Sequence, residues 1–60
     1  MVTIDLTDDE AAALVALLDA RLGELSEEIY HATVSSFKDE LKTLRRTLET
    51  VREKVAAARG

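Results

Sequence analysis

The chain has 60 residues, a formal net charge of −4, and 47% hydrophobic against 33% charged residues. That is room for one small domain near the lower limit of a self-sufficient core, and the composition is too apolar for a disordered chain. With no cysteine, neither a disulfide nor a Cys-ligated zinc site can staple it, and a reducing compartment, the cytoplasm, is the expected setting.

Residues 1–6 read as an extended N-terminal segment, with Val2, Ile4 and Leu6 alternating at the period of a strand. Asp5, Asp8, Asp9 and Glu10 stand where a signal peptide carries positive charge. The longest nearly apolar run, 11–18, is far shorter than the ~20 residues that cross a bilayer. Neither secretion nor a membrane partner is expected, and the acidic balance disfavours nucleic acid as a general partner.

Residues 7–60 read as one helical hairpin domain. Thr7-Asp8-Asp9-Glu10 has the capping-box pattern, in which the Thr7 hydroxyl and the Glu10 carboxylate each satisfy the other residue's backbone N–H. Leu6 and Ala11 lie where a hydrophobic staple would sit, and the acidic first turn suits the helix dipole. Helix 1 is therefore predicted over about 8–31. Ala11, Val15, Leu18, Leu22, Leu25 and Ile29 follow in steps of three and four, which places them on one face. After the short patch 31–36, Phe37, Leu41, Leu44, Leu48, Val51 and Val55 repeat the same spacing. Helix 2 is predicted over about 34–58, with Thr33 as its N-cap and Ser35 or Ser36 as alternatives.

The two series mirror each other about Thr33. Ile29 and Phe37 lie equally far from it, as do Leu25 and Leu41, Leu22 and Leu44, Leu18 and Leu48, Val15 and Val51, and Ala11 and Val55. An antiparallel all-α hairpin would stack these pairs in successive layers. On the flanks, this register sets Asp19 against Arg45 and Ser26 against Lys38. Glu28 and Glu40 would share the opposite edge, where Arg21 can relieve them.

The helices differ in how much apolar surface they carry. Helix 2 has a narrow stripe bounded by charged residues, whereas 11–20 in helix 1 is interrupted only by Asp19. Helix 2 can cover one side of helix 1, which leaves Leu14 and Leu17 beside Ala13, Ala16 and Ala20. A lone hairpin of this size is expected to be marginal. A second copy, or another helical protein, is therefore the expected partner, giving a four-helix bundle with helix 1 central. The competing expectation is that Val2, Ile4 and Leu6 fold back over Leu14 and Leu17.

Two further groups bear on function. Glu28 and His31 form a Glu-x-x-His with Glu24 one turn earlier, a spacing used by metal-binding bundles. His31, however, falls at the polar end of helix 1 and no second such motif exists, so no metal and no cofactor is expected. Lys38, Arg45, Arg52 and Arg59 recur every seven residues, and Lys42 and Arg46 widen them into a basic ridge. Such a ridge could track phosphates, but no aromatic side chains interleave with it and Glu40, Glu49 and Glu53 break its field. Nothing beside Tyr30, His31, Ser35 or Ser36 supplies a nucleophile with its base, so no enzyme is expected.

The layout of Leu6-Thr7-Asp8-Asp9-Glu10, the leucine-rich run, Glu28-Ile29 and Phe37-Lys38-Asp39-Glu40-Leu41-Lys42 resembles a group of short uncharacterised bacterial helical-hairpin proteins of the same length. Their pattern is LTDEEA…EI…TD…FR..LK, from which this chain departs at Ala32-Thr33. The resemblance implies a cytoplasmic helical hairpin and no activity or functional residues. The leading expectation is a non-enzymatic protein–protein interaction module, a small homodimeric adaptor or regulator. The alternatives are a nucleic-acid-binding regulator using the ridge and a metal-binding bundle using Glu28 and His31.

Overall fold

A computed structural model describes residues 1–58. Two helices, α1 (Asp8–His31) and α2 (Ser35–Ala58), pack against each other as a hairpin, and no strand occurs among the described residues. At 1.5 Å per residue, a helix of 24 residues runs about 36 Å, which accounts for the long axis of the 40 × 24 × 13 Å molecule. The shortest dimension is close to the diameter of one helix with its side chains, about 10–12 Å. The hairpin is thus a single layer with two broad faces.

α1 begins with the full capping box. The Thr7 N–H donates to Glu10 Oε1 at 2.8 Å, and the Glu10 N–H donates to Thr7 Oγ1 at 3.1 Å. The Thr7 backbone N–H foremost, with the Thr7 side chain beside it, holds the Glu10 carboxyl below its ordinary range. α1 ends where Ala32 turns extended (φ −70°, ψ 131°), its N–H still reaching the Ile29 carbonyl at 3.3 Å.

α2 starts one residue later than the polar patch suggests. The Val34 carbonyl accepts from the Lys38 N–H at 2.9 Å, so Val34, and neither Thr33 nor a serine, holds the N-cap place. The cause is distance. Helix axes pack about 8–10 Å apart, and crossing that gap takes the 32–34 stretch at roughly 3.3 Å per residue. Along α2, the hydroxyls of Thr43, Thr47 and Thr50 donate to carbonyls one turn back, at 3.0, 3.2 and 3.0 Å.

The core is unequally shared. Ala11, Leu18, Leu25 and Ile29 are buried on α1 but only Leu41 on α2. Leu25, Ile29 and Leu41 form its centre, with Ala32 and Leu48 packed against them. The layered mirror holds at Leu25 and Leu41 and loosens elsewhere, because α2 is rotated about its axis. Leu41, Leu48 and Val55 line the seam, with Lys38, Arg45 and Arg52 half-buried beside them. Phe37, Leu44 and Val51, expected in the layers, are turned outward and are 51%, 40% and 36% exposed.

Among the described residues, Leu25 is the one large side chain with no exposure at all. Leu25→Ala should therefore lower stability by about 2–5 kcal/mol in urea unfolding, and Thr7→Ala, which removes half the capping box, by about 1 kcal/mol. A Leu25→Ala cost under ~1 kcal/mol would move the core's centre elsewhere.

Candidate interface

One ion pair fixes how α2 is rotated. Arg52 Nε donates to Asp19 Oδ1, and its Nη2 reaches Oδ2 at 3.3 Å, a two-pronged contact across the seam. The flank pairing of Asp19 with Arg45 is thereby corrected by one heptad. Helix side chains lean toward their own N-terminus, so an α2 arginine leans toward the turn while Asp19 leans away from it. The arginine that meets Asp19 must therefore start one to two turns farther from the turn than a level register implies. Arg45 instead pairs along its own helix with Glu49, at 3.7 Å.

The edge that carries Asp19 and Arg52 lies on one broad face of the hairpin. In an antiparallel pair, the opposite flanks of the two helices meet on the other broad face. α1 brings Leu17 there, followed in the same row by Arg21, Glu24 and Glu28, and α2 brings Leu44 and Val51. Leu17 is 68% exposed, an unusual position for a leucine flanked by so many alanines. Ala13, Ala16 and Ala20 are exposed behind it, and Leu14 is half-buried. The N-terminal segment leaves Leu17 uncovered but borders the end of this face at Val51 and Lys54. Its Val2, Ile4 and Leu6 stay exposed and line an open hollow with Ala11, Val51 and Val55 at the far end from the turn.

Of the residues expected to be left uncovered, Leu17 and the alanines are exposed and Leu14 is half-buried, whereas Phe37, Leu44 and Val51, expected in the core, are exposed as well. The available signal was the heptad of Lys38, Arg45 and Arg52, whose long apolar stems can cover a seam as well as a leucine does.

The other candidate groups are largely engaged with each other. Arg21 Nη1 reaches Glu28 Oε1 at 2.9 Å and Glu24 Oε2 at 3.1 Å, so both carboxylates of the Glu-x-x-His neighbourhood already face a cation. His31 lies edge-on to Tyr30, ring centroids 5.1 Å apart. Among the described residues, no three His, Cys, Asp or Glu side chains gather where a metal ion could sit. Within the basic ridge, Arg45 and Arg52 have carboxylate partners and Lys38 is half-buried, leaving Lys42 and Arg46 exposed. Arg59 lies outside the described residues. Among those residues, too, no helix is long and apolar enough to cross a membrane. In comparisons with known proteins, no family model, curated protein or solved structure matches this chain.

The hydrogen bond from Arg52, reinforced by its charge, holds the Asp19 carboxyl below its ordinary value of 3.8. A carboxyl lowered on folding stabilises the fold above its unfolded value and loses that contribution as pH falls through the folded one. Thermal melts of wild type and Asp19→Asn should therefore differ most near neutrality and converge in acid. A constant gap at every pH would mean that the charge on Asp19 does not set the seam.

Proposed function

We propose that this chain is a non-enzymatic protein–protein interaction module, a small adaptor or regulator that pairs with a second copy of itself into a four-helix bundle. The observation that carries this reading is Leu17, 68% exposed on the same broad face as Leu44 and Val51. A single exposed leucine is ordinary, but here three apolar side chains share one face of a hairpin only one helix thick.

Surface area supports the same reading. The chain exposes 4810 Å², whereas a folded monomer of 6.6 kDa typically exposes about 3900 Å². The excess of about 900 Å² is close to the ~800 Å² that each partner buries in a stable interface. Part of that excess belongs to the extended segment 1–6, where Val2, Ile4 and Leu6 stand exposed, and a layer one helix thick leaves both of its faces open. The candidate chemistry is correspondingly thin: Arg45, Arg52 and the carboxylates of Glu24 and Glu28 are engaged in ion pairs within the chain.

Native mass spectrometry at ~100 μM should give a dimer, with a melting temperature that rises with protein concentration. Leu17→Glu should return it to a monomer. Since Leu17 is mostly exposed within one chain, that loss would come from the interface and not from the hairpin's own core. A wild-type monomer mass with a concentration-independent melt would overturn the proposal.

A further inference from the structure

We propose that the contact between Asp19 and Arg52 is a latch on the rotation of α2, which keeps Leu44 and Val51 at the surface where a second copy can dock. Once released, α2 turns about its own axis and carries them into the seam. The latch stands on the hairpin alone, and its consequence for docking rests on the dimeric reading above.

α2 carries two rows that can flank the seam. Phe37, Leu44 and Val51 run along one side of Leu41, Leu48 and Val55, and Lys38, Arg45 and Arg52 run along the other. At 3.6 residues per turn each row lies about 50° from the central one, so a turn of that order exchanges one flank for the other. Neither flank is fully closed. Leu44 and Val51 are 40% and 36% exposed, and the side chains of Arg45 and Arg52 are 38% and 39% exposed. α1 can receive either: Leu14 and Arg21 on one side of Leu18, and Val15 and Leu22 on the other, are all half-buried. An inward turn brings Leu44 level with Leu22 and Val51 level with Val15, the pairs equidistant from Thr33, and extends the layering that holds at Leu25 and Leu41.

That turn buries Leu44 and Val51 but uncovers the apolar stems of Lys38, Arg45 and Arg52, so the two changes oppose each other. The Arg52 contact with both Asp19 oxygens adds to the side seen here. Among the described residues it is the one side-chain hydrogen bond or ion pair that joins the two helices; the others run within α1 or within α2. An exposed pair of this kind is weak, so loss of one charge is enough to release it. Packed helices respond to such local changes by shifting as units between discrete arrangements.

The chain has no cysteine, so a single introduced thiol reports each flank. Leu44→Cys and, separately, Arg45→Cys are alkylated with iodoacetamide, with and without Asp19→Asn, at a dilution where the protein is monomeric. Removing the Asp19 charge should slow alkylation at position 44 by about threefold or more and speed it at position 45. General loosening of the hairpin would speed both, and a pair without influence on rotation would change neither; either result overturns the latch. Asp19→Arg combined with Arg52→Asp, which rebuilds the pair with its charges exchanged, should restore both rates. In the cysteine-free chain, Asp19→Asn should also weaken the dimer about threefold or more in sedimentation equilibrium, because fewer chains present the docking face. Opposite changes at the two thiols with an unchanged dimer would overturn the docking consequence and leave the latch. A wild-type monomer would remove the dimeric reading, and the thiol rates would still decide the latch.

Discussion

The hairpin is one helix thick, and most of its behaviour follows from that. Two rods in contact can each cover only one side of the other, so every apolar side chain beyond the shared seam has to face water or another molecule. What decides which side chains fall outside the seam is the contact between Asp19 and Arg52. It turns α2 so that arginine and lysine stems lie along one edge and Leu44 and Val51 are carried to the other. Exposed ion pairs add little to stability. Here the pair matters for geometry: its two-pronged contact ties the Arg52 edge of α2 to the Asp19 edge of α1.

Much of the fold is legible in the sequence. The capping box places the start of α1, the three–four spacing gives both helices, and the mirror about Thr33 gives their antiparallel pairing. The rotation of α2 is not legible from spacing alone. Two sets of residues repeat along α2 at seven-residue intervals on either side of Leu41, Leu48 and Val55, one set apolar and one basic. Hydrophobicity favours putting Phe37, Leu44 and Val51 inward. The structure puts Lys38, Arg45 and Arg52 half inward instead, because their methylene stems pack and their charged ends reach the edge. The side-chain lean that brings Arg52 to Asp19 is a general property of helices and could have been applied beforehand. The cap of α2 is not legible for another reason: serine and threonine near a turn are common caps, but the gap to be crossed takes up Thr33 before the helix begins.

The candidate chemistry shrinks for a related cause. On a hairpin this narrow, charged side chains have few places to go, and those at the candidate positions largely find one another. Arg21 bridges two glutamates, Arg45 takes Glu49, and Arg52 takes Asp19. A motif such as Glu-x-x-His needs carboxylates that converge on a shielded point, and an exposed rim beside an arginine offers none. The apolar surface is what stays unsatisfied, so it carries the functional proposal.

The two broad faces are also unlike each other. One edge is sealed by the charged ends of Arg45 and Arg52, which are costly to strip of water, while the other is open. A plate that is adhesive on a single side can close with one more plate and then has nothing left to offer a third. A pair of this kind would be self-limiting, ending at two copies, whereas apolar surface on both sides would have invited polymerisation.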